Sequence, residues 1–223
     1  MRLENPRPLL YLITSGTTTS QTTPDADQFD QILKLITSAV TAKVSYVQIR
    51  EKQLTGRVLF ELASHASEIT RKSATRVLIN DRADIASATG LGVHLASHSL
   101  PVQVVRATFG PQILIGASTH SVVQASVART SGANFVVYGP VFETESKKIF
   151  GPPQGIEELR LVVNEMDDFP VVAIGGISRS NVGECFRAGA AGVAAITMFG
   201  GAEHLQDVVS QVREQYKAEN ENN

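Results

Sequence analysis

Short apolar runs alternate with longer amphipathic stretches along the whole chain. The apolar runs have the length of buried strands, and the stretches between them repeat their apolar positions at helical spacing. Strands are predicted at residues 9–13, 44–50, 76–80, 92–95, 113–116, 134–138, 171–174 and 192–196. Helices are predicted at residues 28–42, 56–71, 83–88, 102–107, from 118–121 onward, 156–166, 179–188 and 203–219.

The alternation of eight strands with eight helices predicts a parallel sheet, because the connections are too long for hairpins. Eight units favour closure into one (β/α)8 TIM barrel over residues 1–223, a length that falls within the range of about 200–250 residues for such barrels. An open doubly wound sheet is the alternative, but no Gly-x-Gly-x-x-Gly motif follows the first strand. A polar loop at 15–26 either closes over a site or is an insertion, and a polar tail is expected at 220–223.

Composition narrows the class of protein. Hydrophobic residues form 43% of the chain, and 20 basic residues against 22 acidic ones argue against a general nucleic-acid binder. The single cysteine, Cys185, excludes an intramolecular disulfide and fits a reducing cytoplasm. Neither a secretory leader nor an uninterrupted apolar run of about 18 residues is present, so no membrane association is expected. A homo-oligomer remains open.

The second predicted strand begins apolar and ends in charge, as Tyr46-Val-Gln-Ile-Arg-Glu-Lys52. Side chains alternate along a strand, so Gln48, Arg50 and, if the extended run continues, Lys52 share one face. The wet, polar region of a (β/α)8 barrel is its mouth, at the C-terminal ends of the strands. This strand end therefore predicts a site for an anionic ligand.

Glycines and hydroxyls after the last two strands indicate where phosphate would bind. Gly175-Gly176 follows strand seven, and Ile196-Thr197 follows strand eight. In barrels of this kind, the loops after these two strands often hold phosphate through backbone N–H groups. The alternative is that the double glycine only forms a tight turn.

Asn80-Asp81 closes the third strand. A carboxylate at the mouth of a barrel could hold Mg²⁺ while most of the coordination sphere stays available to phosphate and water. Asp81 could equally cap the short helix that follows it.

The loop after strand six carries Thr144, Ser146 and Lys147. Together these residues offer hydroxyls and a cation to a phosphate group. Paired lysines such as Lys147 and Lys148 are, however, more often part of a solvated surface loop.

Ser118 and His120 end the fifth strand. Ser118 could cap the next helix or bind phosphate, and His120 could act as an acid or base near neutral pH. A lone histidine at a helix start is more often a surface or packing residue. His94 is expected in or beside the barrel interior.

Several short motifs, in this order, resemble the thiamine phosphate synthase / thiazole tautomerase superfamily. The resemblance runs from the first strand to the eighth, and it rests on the number and order of the motifs rather than on one of them. The motifs are Gln48-Ile-Arg-Glu-Lys52, Ile79-Asn-Asp-Arg82, Gly92-Val-His-Leu95, Ser118-Thr-His120, Gly139-Pro-Val-Phe142 and Ala173-Ile-Gly-Gly-Ile177.

The resemblance implies a (β/α)8 barrel that joins hydroxymethylpyrimidine diphosphate to thiazole phosphate and releases diphosphate. It implies phosphorylated small molecules as ligands and Mg²⁺ as cofactor, with Asp81 as a metal ligand. Carried over by position, the pyrimidine diphosphate would be held by Gln48, Arg50, Lys52 and Asn80, with Ser118 and Lys147 on its diphosphate. The thiazole phosphate would be surrounded by Thr144, Ser146, Gly176, Ile196 and Thr197.

The chain also departs from the synthase pattern. Ser99 stands where a synthase usually has a second Asp for Mg²⁺, and a hydroxyl is a poor replacement for that ligand. The loop Glu143-Thr-Glu-Ser-Lys147 replaces the usual Pro-Thr-x-Thr-Lys. Such departures resemble the tautomerase branch, in which the histidine matching His120 moves protons on a carboxythiazole phosphate. A synthase is therefore the first hypothesis, a tautomerase the second, and a non-catalytic binder of thiamine precursors the third.

Overall fold

Strands and helices alternate along the chain in the computed structural model, which describes residues 6–144 and 152–221. The strands are β1 (Leu9–Ile13), β2 (Tyr46–Ile49), β3 (Arg76–Asn80), β4 (Gly92–Leu95), β5 (Ile115–Thr119), β6 (Phe135–Tyr138), β7 (Val171–Ile174) and β8 (Gly192–Ala195). The helices are α1 (Asp27–Thr41), α2 (Gly56–Thr70), α3 (Ala83–Ala88), α4 (Val102–Phe109), α5 (Val122–Thr130), α6 (Gly155–Met166), α7 (Val182–Arg187) and α8 (Leu205–Glu221), with a 3₁₀ turn at Ala202–His204 before α8.

The eight strands close into one parallel barrel in chain order, which confirms the predicted (β/α)8 fold. Strand β1 pairs with β2 on one side and with β8 on the other, where Leu9 is opposite Gly192. Because all strands are parallel, their C-terminal ends meet at one rim, called the mouth below. No helix within residues 6–144 and 152–221 is long and apolar enough to cross a membrane.

Outward-facing strand residues pack against the helices, and inward-facing residues fill the barrel. Three fully buried rings, Tyr11, Tyr46 and Phe135, form the centre of this interior and are called the aromatic plug. The rings of Tyr46 and Phe135 stack with centroids 5.0 Å apart, and Tyr11 meets them edge-on at 5.8 and 5.7 Å. Such pairs stabilise a core beyond their buried area, so the barrel is filled rather than hollow.

The fifth strand differs from its prediction. It covers Ile115–Thr119 instead of 113–116, so Ser118 lies on a strand and does not begin a helix. Helix α5 is instead capped by Ser121, whose hydroxyl accepts the Gln124 N–H at 3.2 Å. The small residues of this strand have little intrinsic strand preference, and its pairing with β4 and β6 decides the conformation.

Other boundaries shift by one to three residues. Strand β2 ends at Ile49 rather than at 50, and α7 begins at Val182 rather than at 179. Helix α8 ends at Glu221 rather than at 219, so it extends into the polar tail predicted at 220–223. Residues 222–223 lie outside the described part of the chain.

Replacing Phe135 with alanine is expected to lower the free energy of unfolding by about 3–5 kcal/mol, because the truncation leaves a cavity in the aromatic plug. Urea denaturation followed by circular dichroism measures the loss. Phe60→Ala is the matched control, since Phe60 is 46% exposed on α2 and its truncation should cost only about 0.5 kcal/mol. Equal losses in the two variants would contradict the packing described here.

Candidate active site

Side-chain amides link the ends of β2 and β3 at the mouth. The Gln48 side chain is 2% exposed and donates from Nε2 to Asn80 Oδ1 at 2.9 Å. Asn80 in turn donates from Nδ2 to Asp81 Oδ2 at 2.8 Å. The prediction that Gln48 faces into the mouth is therefore confirmed. The Gln48 amide is the first group in a chain of hydrogen bonds that ends on the Asp81 carboxylate.

Two cations, Arg50 and Lys52, follow Gln48 along the chain. Arg50 is partly exposed and Lys52 exposed, and neither lies within ion-pair distance of a carboxylate in the part of the chain that the structure describes. The extended run ends at Ile49, so strand alternation does not reach Lys52. Lys52 instead lines a cavity of about 220 Å³ together with Asn80 and Asp81.

Asp81 has a φ of 62° and holds its carboxylate at the mouth, with 31% of the side chain exposed. Its Oδ1 accepts the Ser99 hydroxyl, and the Ala96 N–H lies 3.5 Å from the same oxygen. The residue before α3 is Arg82, and that helix has no side-chain cap. The alternative role of Asp81 as a helix cap is therefore wrong.

Mg²⁺ requires oxygen ligands, and Asp81 offers a carboxylate at the mouth. Within residues 6–144 and 152–221, no group of three or more His, Cys, Asp or Glu side chains could hold a metal. Mg²⁺ is, however, usually held by one or two carboxylates, several waters and the phosphates of a substrate. Each carboxylate oxygen has two lone pairs. The Ser99 hydroxyl and the longer contact from Ala96 lie on Oδ1, whereas Asn80 occupies only one lone pair of Oδ2 and leaves the other for a metal. Asp81 therefore fits a Mg²⁺ ion that a diphosphate also binds.

A buried histidine connects the aromatic plug to the mouth. His94 is 3% exposed, its Nδ1 lies 3.2 Å from the Tyr11 hydroxyl, and its Nε2 lies 2.8 Å from Ser118 Oγ. Burial raises the pKa of Tyr11 well above its usual value, so its hydroxyl stays protonated. A ring proton on Nε2 would make the Tyr11 hydroxyl the donor to Nδ1 and leave the Ser118 hydroxyl hydrogen for a ligand, whereas a ring proton on Nδ1 would reverse both hydrogen bonds.

Burial also lowers the pKa of His94 from 6.5 to about 4, because the imidazolium would lose its hydration. The charge of Asp81 opposes this shift, and the charge of Arg50 adds to it. His94 is consequently neutral at physiological pH, which excludes a role as a fixed cation.

His120 follows β5 at the rim and is partly exposed. Its Nδ1 contacts the Gly139 carbonyl oxygen at 2.5 Å, which assigns the ring proton to Nδ1 and the lone pair to Nε2. This contact joins His120 to the loop after β6.

The double glycine packs against the loop after β6. Gly175 and Gly176 have φ values of 101° and 63°, a conformation that favours glycine. A Cβ on Gly175 would lie 2.5 Å from Pro140 Cα, and one on Gly176 would lie 2.3 Å from the Glu143 carbonyl oxygen. Backbone conformation and the close approach of the loop after β6 therefore both require glycine here, and phosphate binding by these residues stays a prediction.

The other residues predicted for the site either lie around the same rim or fall outside the described part of the chain. Ile196 is partly buried and Thr197 is exposed after β8, while Thr144 is partly exposed after β6. Ser146 and Lys147 lie outside the described residues.

Glu51, between the two mouth cations, was missed by the sequence reasoning. It is 4% exposed, and its carboxylate accepts hydrogen bonds from the loop after β1, beginning with Thr14 Oγ1 at 2.6 Å. The polar loop predicted at 15–26 is thus attached at its start to the end of β2. Glu51 stands between two charged residues in the sequence, so no periodic pattern distinguishes it. The hydroxyl-rich run Thr14–Ser20 was the available signal, because so many donors close together indicate a shared acceptor.

The fold and this rim define a (β/α)8-barrel protein with an amide-lined, cation-bearing mouth. The family model described as thiamine monophosphate synthase matches residues 10–199. The chain belongs to this family.

Curated relatives and a solved structure agree with this membership. The chain is 43% identical over 167 residues to a putative thiamine-phosphate synthase of Geobacter sulfurreducens, covering 74% of this chain and 78% of the relative. It is 39% identical over 182 residues to the thiamine-phosphate synthase of Chlorobium luteolum, covering 81% and 85%. The thiamine phosphate pyrophosphorylase structure from Pyrococcus furiosus superposes with a TM-score of 0.78 at 28% identity, covering 95% and 96%.

The neutral state of His94 gives a pH prediction. Between pH 6.5 and pH 4 the unfolded chain binds a proton that folded His94 does not, so the free energy of unfolding falls as the pH falls through this window. The contribution is fully present above pH 6.5, and its loss by pH 4 amounts to about 3 kcal/mol. Urea titrations at intervals from pH 7.5 to pH 4 measure it.

His94→Gln is the control for this pH dependence. The variant starts from a lower stability at pH 7 but should lose less of it on acidification, because glutamine does not titrate. Parallel curves for the two proteins would contradict the neutral, buried state of His94.

Proposed function

We propose that the chain catalyses the formation of thiamine phosphate from hydroxymethylpyrimidine diphosphate and thiazole phosphate, with release of diphosphate. The observation that carries this proposal is the grouping of Gln48, Arg50, Asn80 and Asp81 at the ends of two neighbouring strands. In a member of this family, these types of residue are suited to a pyrimidine ring and to the diphosphate attached to it. The names of the relatives support the same reaction.

The reaction requires stabilisation of a leaving group rather than a strong base. The bond between the pyrimidine methylene carbon and the diphosphate oxygen breaks, and the diphosphate keeps the electron pair. The thiazole nitrogen then donates its lone pair to the methylene carbon to form the C–N bond. Arg50 and Lys52 would bind the departing oxygens, where charge grows in the transition state.

Ser118 would add a neutral hydrogen bond to the diphosphate. With the proton of the neutral His94 ring on Nε2, the Ser118 hydroxyl would accept from that nitrogen and keep its hydrogen for the substrate. The contact with the buried Tyr11 hydroxyl holds the His94 ring in place before the substrate arrives. Such preorganisation is an efficient form of electrostatic catalysis.

Asp81 would hold Mg²⁺ together with the substrate diphosphate. When bound, the ion supplies charge neutralisation for the leaving diphosphate. Ser99 already donates to the Asp81 carboxylate, so its hydroxyl would orient this ligand rather than coordinate the metal.

The opposite part of the mouth would bind the thiazole phosphate. Gly175, Gly176, Ile196 and Thr197 follow β7 and β8, where barrels of this fold often hold a phosphate. Thr144, with Ser146 and Lys147 of the same loop, would complete that pocket.

A thiazole tautomerase is the alternative assignment, and one contact favours it. The Nδ1–H of His120 points to the Gly139 carbonyl, so Nε2 could accept a proton from a substrate. A third hypothesis is that the protein binds thiamine precursors and catalyses neither reaction.

The purified chain is expected to form thiamine phosphate from the two substrates in the presence of Mg²⁺. Arg50→Gln should lower kcat about 100-fold, because one preorganised donor to the leaving group is lost. Arg57→Gln is the matched control, since Arg57 is exposed on α2 and should retain wild-type rates. Product is followed by chromatography.

No product at high enzyme concentration would overturn the synthase assignment. Metal-independent isomerisation of carboxythiazole phosphate that His120→Ala abolishes would establish the tautomerase instead. Binding of phosphorylated precursors in calorimetry without either reaction would leave the non-catalytic binder.

Asp81→Asn is expected to weaken Mg²⁺ binding in the presence of diphosphate by at least about tenfold, because the metal loses an anionic oxygen ligand. Isothermal titration calorimetry measures this affinity without turnover. Asp84→Asn removes a similar charge, one that is paired with Arg82 on the surface, and should leave the affinity unchanged. Equal Mg²⁺ affinities for Asp81→Asn and wild type would exclude Asp81 as the ligand.

A further inference from the structure

Glu51 has its whole carboxylate buried under one loop. Its Oε1 accepts from the Thr14 hydroxyl at 2.6 Å and from the Gly16 N–H at 3.1 Å. Its Oε2 accepts from the Thr18 hydroxyl at 2.7 Å and from the Thr18 N–H at 3.2 Å. All four donors are neutral and belong to the loop between β1 and α1, and Thr14 and Thr18 are themselves buried.

The same loop residues touch Arg50. Thr14 Oγ1 accepts the Arg50 N–H at 2.9 Å while its hydroxyl hydrogen goes to Glu51. Gly16 has a φ of 74°, and a Cβ at that position would lie 3.3 Å from the Arg50 carbonyl oxygen and 3.7 Å from Nη1. The loop therefore lies directly against both the backbone and the guanidinium of Arg50, and Glu51 holds it there.

The hydrogen-bond capacity of Glu51 explains why it does not pair with its neighbours. An ionised carboxylate offers about four lone-pair positions, and the loop occupies four. Arg50 and Lys52 are adjacent to Glu51 in the chain, yet neither forms an ion pair with it among the residues described. A carboxylate with a free oxygen at this place would compete with the diphosphate for these two cations.

We infer that Glu51 is a positioning residue for diphosphate binding: it fastens residues 14–18 over Arg50 and, because its oxygens are saturated, leaves the Arg50 guanidinium to the ligand. This inference rests on the proposed function only for the identity of the ligand. Glu51 itself touches neither the substrate nor the metal in this role. It acts through the loop.

Glu51→Gln tests the role because glutamine has the same shape but replaces one acceptor oxygen by an NH₂ donor. That NH₂ would face either the Gly16 N–H or the Thr18 N–H, and the loop would lose its attachment at one end. The KM for the pyrimidine diphosphate should rise, and kcat/KM for it fall, by about tenfold to hundredfold. The KM for the thiazole phosphate should stay within about twofold, because the opposite part of the mouth is unaffected.

Two further measurements do not depend on turnover. Hydrogen exchange followed by NMR should show faster exchange of the Gly16 and Thr18 amides in Glu51→Gln, with the amides of β5 and β6 unchanged. Calorimetry with inorganic diphosphate and Mg²⁺ should show weaker binding by a similar factor. Glu68→Gln, which removes a carboxylate from the exposed face of α2, should match the wild type in both.

Thr18→Val provides a second variant should Glu51→Gln not fold. It removes one hydroxyl donor to Oε2 without burying a new polar group, and it should weaken diphosphate binding in the same direction by a smaller factor. In a double-variant comparison, Thr18→Val added to Glu51→Gln should cost less than it does alone, because the hydroxyl acts through the carboxylate.

Unchanged diphosphate affinity in a folded Glu51→Gln or Thr18→Val protein whose loop amides exchange faster would overturn the inference and leave Glu51 a purely structural residue. An equal rise in the KM of both substrates would also overturn it. A wild-type chain that binds diphosphate but makes no thiamine phosphate would refute the proposed function alone, since the calorimetric comparison still tests Glu51.

Discussion

The packing of Tyr11, Tyr46 and Phe135 inside the barrel is the interaction on which the mouth depends. These three rings fill the interior between the strands, and the polar Gln48 and His94 are buried as well. The polar groups of Gln48 and His94 lie in a low-dielectric environment as a result, where hydrogen bonds are stronger and unpaired groups are costly. The aromatic plug thus explains why the inward-facing amides and the imidazole are linked in chains rather than left free.

One of those chains begins in the plug itself. The Tyr11 hydroxyl is the polar end of a buried ring and contacts His94 Nδ1, while His94 Nε2 contacts Ser118 Oγ. The Ser118 hydroxyl is therefore connected to the packing of the core through one imidazole ring. Substitutions in the aromatic plug are therefore expected to alter the position of the Ser118 hydroxyl through His94, even where the barrel still folds.

Much of the fold could be predicted because its signals are local. The apolar runs located all eight strands, and period-two alternation correctly turned Gln48 inward. The predictions failed where a residue's role depends on partners far along the chain. Ser118 was expected at a helix start because the run Ser118-Thr-His-Ser121 is typical of a helix N-cap, whereas its actual partner, His94, is 24 positions away.

The contacts of Glu51 and of the double glycine could not be predicted from the sequence either, because their partners are also far along the chain. The four donors to Glu51 come from residues 33 to 37 positions earlier, after a different strand. Gly175 and Gly176 require glycine partly because the backbone of residues 140–143 approaches them closely, which no local pattern indicates. Sequence motifs therefore located the rim of the site, while the tertiary structure assigned what each residue does there.

The distribution of charge at the mouth follows from how its two carboxylates are satisfied. Glu51 accepts only from a loop, and Asp81 accepts from Asn80 and Ser99, with the exposed His98 imidazole 4.0 Å away. Neutral donors stabilise each carboxylate without a cation, so Arg50 and Lys52 keep their charge for something else. A rim that instead paired its acidic and basic residues would be more stable alone but would attract phosphate weakly. Because neither acid forms an ion pair with Arg50 or Lys52 among the described residues, both cations remain available to an anionic ligand.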